Sequence, residues 1–260
     1  MTSFRNPDFA RAYHRKGQAC RELGNNELAL KNLIRATELD DEYLEAFIDL
    51  GDLLRDMGDF SKAADSYSRA IELDPSRSEA YVNRANLYGT MGKHDLEVLD
   101  YSSAISLAPQ DPILRGRRGA ALIFLNRYDE AIADYSKLLE LKPTFVWVRV
   151  IRGDAYAAIG KNKEAIGDYT IFIDLHPEYA ETYINRGKVW HNLGEYENAI
   201  EDFSKAIELS PDYAEAFYRR GLARDKLKLK MPALADYHVA AQLGDEDAMK
   251  LLKSKKLFKK

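Results

Sequence analysis

The sequence predicts an all-α chain built as a tandem array of helical hairpins, on three observations. A small residue recurs every 34 positions, at Gly17, Gly51, Ala85, Gly119, Gly153, Gly187 and Gly221. Apolar residues flank each of these places at helical spacing. Prolines close five of the intervals in phase, at Pro75, Pro109, Pro143, Pro177 and Pro211. A period of this size, held without insertion or deletion, marks a helical-repeat array in which neighbouring units bury one another's apolar faces.

The stretch Ala180–Pro211 shows the elements of one unit most plainly. A first helix runs from about Glu181 to Leu193, with apolar Tyr183, Val189, Trp190 and Leu193. Gly194 ends it, because glycine reaches the left-handed cap without strain. A second helix carries Tyr196, Ala199, Ile200, Phe203, Ala206, Ile207 and Leu209 at helical spacing. Pro211 stops that helix, since proline lacks an amide hydrogen and disfavours a helical residue before it. Small residues are expected to let the hairpin close, with Gly187 facing Ala199. A layer of large residues follows at Leu33, Tyr67, Tyr101, Tyr135, Tyr169, Phe203 and Tyr237.

In chain order, residues 1–9 form a short leader in which Pro7 and Asp8 suit a helix start. Residues 10–244 hold seven units. The first departs most, with Asp41 in place of the closing proline and Leu33 in place of the aromatic. Units three to seven carry an arginine before the small place (Arg84, Arg118, Arg152, Arg186, Arg220) and an aspartate 16 residues later (Asp100, Asp134, Asp168, Asp202, Asp236). Arginine's planar fork suits paired bonds to a carboxylate, so these residues predict a ladder of structural ion pairs. Residues 245–260 form a C-terminal amphipathic capping helix with a basic tail. Asp245 is its N-cap, Ala248, Leu251 and Leu252 its apolar stripe, and Lys250, Lys253, Lys255, Lys256, Lys259 and Lys260 its cations.

Composition narrows the function classes. The chain has 260 residues, a formal charge of −4 and 46% hydrophobic residues. A soluble folded protein is expected, and a dedicated nucleic-acid binder, which would be clearly basic, is not. The single cysteine, Cys20, permits no intrachain disulfide and falls where later units carry Tyr88, Leu122, Tyr156 and Trp190, so a buried thiol is expected. No run approaches the ~18 apolar residues of a membrane span, and the first residues lack a secretory signal's apolar core. A cytoplasmic location is the expectation. No phosphate loop, nucleophile elbow or clustered metal-ligand pattern occurs, and the five histidines lie in five different units. The chain is therefore expected to be non-catalytic and to need no cofactor or metal.

The order aromatic–Gly–aromatic–Ala–aromatic–Ala–Pro, repeated over about Ala10 to Gly244, resembles the tetratricopeptide repeat family. The resemblance implies an α-α superhelix, a right-handed solenoid whose first helices line a concave groove, and it implies binding of protein partners rather than chemistry. On that groove the first unit would carry His14, Arg15, Gln18 and Arg21, facing Glu45, Asp49, Asp52 and Asp56 of the second. Asn83, Asn86, Asn185 and Lys188 offer hydrogen bonds to an extended backbone. In the middle, the fourth and fifth units place Ile113, Arg117, Ile123, Phe124, Trp147, Val150, Ile151 and Asp154 there. An apolar patch in a polar groove predicts a site that anchors a peptide or helix of a partner protein, with Arg117 and Asp154 setting its direction.

The same units depart from the pattern elsewhere. Arg115 and Arg149 stand where Tyr183 stands in the sixth unit, Leu138 and Phe172 replace Ala206, and Glu97 replaces an alanine and is expected to pair with Arg115. The family's chaperone-tail clamp would need lysine–asparagine pairs at His14/Gln18, Val82/Asn86 and Ile184/Lys188, and none matches. Self-assembly into a homo-oligomer is the alternative reading, followed by weak nucleic-acid or acidic-surface binding through the basic ends.

Overall fold

The computed structural model describes residues 6–254, which form two compact units divided after Leu141. The first unit holds α1 (Pro7–Glu22), α2 (Asn26–Leu39), α3 (Leu44–Asp56), α4 (Phe60–Leu73), α5 (Ser78–Thr90), α6 (His94–Leu107), α7 (Pro112–Phe124) and α8 (Tyr128–Leu141). The second holds α9 (Val148–Ala158), α10 (Asn162–Leu175), α11 (Ala180–Leu193), α12 (Tyr196–Leu209), α13 (Ala214–Lys226), α14 (Lys230–Gln242) and α15 (Glu246–Ser254). Within each unit a helix packs chiefly on the helices before and after it, and no strand occurs among the described residues.

Each hairpin turns at one left-handed residue, which releases the chain from the first helix into the second. Gly24, Gly58, Gly92, Gly160 and Gly194 supply it, and Asn126 (φ 56°) and Lys228 (φ 63°) occupy the same place in the fourth and seventh hairpins. Asparagine tolerates this region better than most residues, whereas lysine adopts it at some cost. The first helix starts at Pro7, inside the expected leader, with the Asn6 side chain accepting from the Phe9 N–H at 3.4 Å. Residues 1–5 lie outside the described part. At the other end Asp245 caps α15 through a 2.8 Å bond from the Ala248 N–H, and Ala248 and Leu252 are fully buried on α14. Lys255, Lys256, Lys259 and Lys260 lie outside the described residues.

The packing adds to one expectation. Gly187 lies against the ring of Phe203: a Cβ built there would stand 2.7 Å from the ring, and at the equivalent Gly17 and Gly221 the backbone of Ala29 and Ala233 is close as well. The rings of Tyr67, Tyr135, Tyr169 and Tyr237 and the side chain of Leu33 lie equally close to Gly51, Gly119, Gly153, Gly221 and Gly17. The glycine therefore makes room for the large residue 16 positions later, and the alanine lets the two backbones approach. Cys20 is buried between α1 and the following helices, among Leu33, Leu50 and Leu54.

The ion-pair ladder forms within each of the third to seventh hairpins. Arg84 binds Asp100 with Nε–Oδ2 2.7 Å and Nη2–Oδ1 2.8 Å, and Arg118–Asp134, Arg152–Asp168, Arg186–Asp202 and Arg220–Asp236 repeat the fork. The third guanidinium nitrogen reaches a hydroxyl of the preceding hairpin: Arg84 donates to Ser68 at 2.7 Å, Arg118 to Ser102 at 2.9 Å, Arg186 to Thr170 at 2.9 Å and Arg220 to Ser204 at 3.1 Å. One side chain thus closes its own hairpin and ties it to its neighbour. The hydroxyls recur with the same 34-residue period, a signal legible in the sequence beside the arginines.

Candidate groove-lining site

The departures in the middle of the chain are in part exchanges of volume. Glu97, large in an alanine place, lies over Gly89, and its carboxylate would stand 2.8 Å from a Cβ there. It bonds His94 Nδ1 at 2.8 Å and not Arg115, which corrects the expected Glu97–Arg115 pair. Arg115 instead approaches Asp134 (Nη1–Oδ1 3.6 Å), and its buried Nε has no hydrogen-bond partner. Arg149 likewise joins Arg152 on Asp168, at 3.2 Å. Leu138 fills the space opened by Gly116, 2.9 Å from the position of a Cβ. Phe172 is buried and packs edge-on against Tyr179. A larger residue on one helix is thus offset by a glycine on its partner, as close packing demands.

The first-helix face begins with the two opposite stripes, which are joined by hydrogen bonds and by one arginine–aspartate pair. His14 is buried, with Nε2 2.6 Å from Asp49 and Nδ1 2.8 Å from the Tyr43 hydroxyl. Gln18 donates to the same Asp49 oxygen at 2.7 Å, and Arg21 pairs with Asp56. Burial alone would raise the Asp49 carboxyl, but the bonds from His14 and Gln18 outweigh it and hold the group below its ordinary range.

In the second, third and fifth hairpins a tyrosine of the second helix reaches through to this face. Tyr67 donates to Asp52 at 2.6 Å, Tyr101 to Asn86 at 2.5 Å and Tyr169 to Asp154 at 2.5 Å, each acceptor standing one residue after the small place. Where that residue is Ala120, the Tyr135 phenol has no such acceptor, and burial pushes it up to about 12. Where it is Lys188, the aromatic is Phe203, with no hydroxyl. This correspondence, also legible in the sequence, shows that Asp52, Asn86 and Asp154 are anchored from beneath.

Neighbouring hairpins then link laterally across 31 residues. Asn83 donates to Asp52 at 3.4 Å, Arg117 to Asn86 at 2.6 Å and Asn185 to Asp154 at 3.3 Å. Lys188 pairs with Glu215 at 2.8 Å, which Arg219 also holds at 2.6 Å. Burial raises the Asp154 carboxyl above its ordinary range despite the Tyr169 bond. The polar residues Asn83, Asn86, Arg117, Asp154, Asn185 and Lys188 are therefore all engaged by side chains of neighbouring hairpins.

The apolar candidates differ. In the first unit Phe124 is 71% exposed at the end of α7, its ring stacked on His94 at 4.6 Å, and Ile113 is exposed one helix length away. Ala120 between them is exposed too, and Ile123 is half-buried. In the second unit Trp147 is 56% exposed and rests beside Phe145, while Val150 and Ile151 are half-buried. Trp147 precedes α9 as its N-terminal boundary residue instead of lying within the helix, because the chain makes turns through residues 142–147. Phe124 and Trp147 thus project from the surface and do not complete the core.

Comparison with known proteins accords with this arrangement. Residues 51–92 and 191–227 match a family model described as TPR repeat, and residues 10–43, 78–111 and 114–145 match one described as Tetratricopeptide repeat. Together these stretches span more than half of the chain. The chain belongs to the tetratricopeptide repeat family. Among solved structures it is similar to YrrB, described as a TPR protein with an unusual peptide-binding site (24% identity, 71% of this chain and 95% of that chain, TM-score 0.63). It is also similar to a tetratricopeptide repeat protein from Parabacteroides merdae (23% identity, 95% and 98% coverage, TM-score 0.61). A third likeness is to the C-terminal part of a TPR repeat-containing protein from Cytophaga hutchinsonii (18% identity, 75% and 78% coverage, TM-score 0.64). At these identities the likeness is one of fold. No curated protein matches the chain. As a tetratricopeptide repeat protein it is a member of a family of protein-interaction scaffolds, and no helix of the described residues is long and apolar enough to cross a membrane.

Proposed function

We propose that the chain is a non-catalytic adaptor whose first-helix face holds a peptide or helix of a partner protein. The observation that supports this reading is the contrast along α3, α5 and α7. The polar residues of α3 and α5 are bonded to one another, whereas α7 offers Ile113, Ala120 and Phe124 to solvent. Satisfied polar groups cost little to leave in place, and an exposed aromatic gains most when a partner covers it. Trp147 offers the same gain in the second unit. Arg117, bonded to Asn86 and two turns before Phe124 on the same helix, supplies a directional cation.

The affinity expected of such an anchor follows from area. Covering a mostly exposed Phe or Trp side chain is worth about 1.5–3 kcal/mol, or roughly a tenfold to hundredfold change in dissociation constant per residue. The test is selection of binders from a displayed random-peptide library, followed by titration against wild type, Phe124→Ala and Trp147→Ala. Selected peptides are expected to carry an apolar side chain and to lose at least tenfold in affinity for one of the variants, with unchanged helical circular dichroism. Peptides that bind both variants as tightly as wild type would place the site elsewhere.

A further inference from the structure

The outer surface of α6 differs from that of four of its counterparts. Four other second helices carry an ion pair there, three residues apart: Arg35–Glu38 at 2.9 Å, Arg69–Glu72 at 3.0 Å, Lys137–Glu140 at 2.6 Å and Lys205–Glu208 at 3.0 Å. The same places in α6 hold Ser103 and Ser106. Their hydroxyls return to their own helix, Ser103 to the Leu99 carbonyl at 3.3 Å and Ser106 to the Ser102 carbonyl at 3.0 Å, so they make no demand on solvent. One turn earlier, where Lys31, Asp65 and Glu201 stand in other hairpins, α6 has Leu99, 61% exposed. Leu96 precedes it and is exposed as well.

Leu96, Leu99, Ser103 and Ser106 are spaced by three, four and three residues, the spacing of a two-helix seam. We propose that this seam is a self-association surface on which α6 of a second copy lies antiparallel about a twofold axis. The side chains select that orientation. In an antiparallel pair each Leu99 meets Ser103 of the other copy and each Leu96 meets Ser106, so every layer joins a large residue to a small one. A parallel pair in register would set leucine on leucine and serine on serine, leaving gaps that close packing disfavours. Charge agrees with the choice. Antiparallel packing brings Lys93, exposed just before α6, beside the C-terminal end of the other α6 and Asp111 beyond it, and it aligns opposite helix dipoles. The surface is isologous and closes at a dimer. It is the outer face of a second helix, so the proposal stands apart from peptide binding on the first helices.

Sedimentation velocity of the full chain over a dilution series from about 1 mM to 1 μM tests it. Wild type is expected to move from dimer to monomer across the series, and Leu99→Glu to sediment as monomer throughout with an unaltered thermal melt. A wild type that remains monomeric at the highest concentration overturns the proposal, as does a Leu99→Glu variant that still dimerises. Register is read by disulfide trapping. Chains carrying Leu99→Cys mixed with chains carrying Ser103→Cys are expected to cross-link to each other far faster than either does alone. Cross-linking of Leu99→Cys chains with themselves, and not in the mixture, overturns the antiparallel pairing.

Discussion

Replacing Asp100 by alanine isolates the contribution of one rung of the ladder. Asp100 is almost fully buried and accepts two bonds from Arg84, whose side chain is 18% exposed. The substitution leaves Arg84 charged and in place, still bonded to Ser68 and lying over the Tyr88 ring, but with two donors unpaired. Removing one partner of a buried pair costs about 3–5 kcal/mol, because the surviving charge stays desolvated. The partial exposure of Arg84 admits some water, which places the expected loss near the lower end, about 3 kcal/mol. Asp168→Ala removes a carboxylate shared by two guanidinium groups, Arg152 and Arg149, and is expected to cost more. Urea unfolding followed by helical circular dichroism measures both. The decisive comparison is the double variant Arg84→Met with Asp100→Leu, which removes both charges and replaces them with apolar volume. It is expected to be more stable than Asp100→Ala alone by about 1–3 kcal/mol. A single variant that loses less than about 0.5 kcal/mol, the size of an ordinary surface substitution, would show that the ladder is not a stabilising element.

Three further outcomes follow from the packing and the charges. Gly187→Ala sets a methyl 2.7 Å from the Phe203 ring and is expected to cost about 1–3 kcal/mol, recovered in part by Phe203→Leu, in thermal melts of the single and double variants. Leu252→Ala empties a fully buried place beneath α15 and is expected to cost about 2–5 kcal/mol, with hydrogen exchange accelerated in α14 and α15 first. Asp49 has its folded-state affinity for a proton lowered, so the stability it confers is present above the unfolded carboxyl range and is lost as pH falls through its folded value. Wild type is therefore expected to lose more stability than Asp49→Asn between about pH 5 and pH 2, and parallel pH profiles of the two would refute this.

Much of the fold was legible because the signals that make it are local and repeat. The left-handed turn needs one permissive residue per hairpin, and a proline stops a helix wherever it stands. The arginine–aspartate spacing predicted the ladder, whereas the serines and threonine that complete four of its rungs stand in the preceding hairpin, where no local pattern ties them to the arginine. The candidate site was legible in part. Ile113, Phe124 and Trp147 stand out in a polar stripe by composition alone, and they are exposed. That Asn83, Asn86, Arg117 and Asn185 are engaged by their neighbours was hidden, because an interval of 31 residues depends on how far one hairpin is shifted against the next.

The sequence by itself determined the helices, their turns and their order, since each depends on residues within a few positions of one another. Only the tertiary structure decided which large side chain faces each glycine, how Gly89 and Gly116 absorb Glu97 and Leu138, and which polar groups of the first-helix face pair with one another. These are questions of distance between helices, and a side chain's neighbours across a packed interface are set by crossing geometry and volume, which no linear spacing encodes.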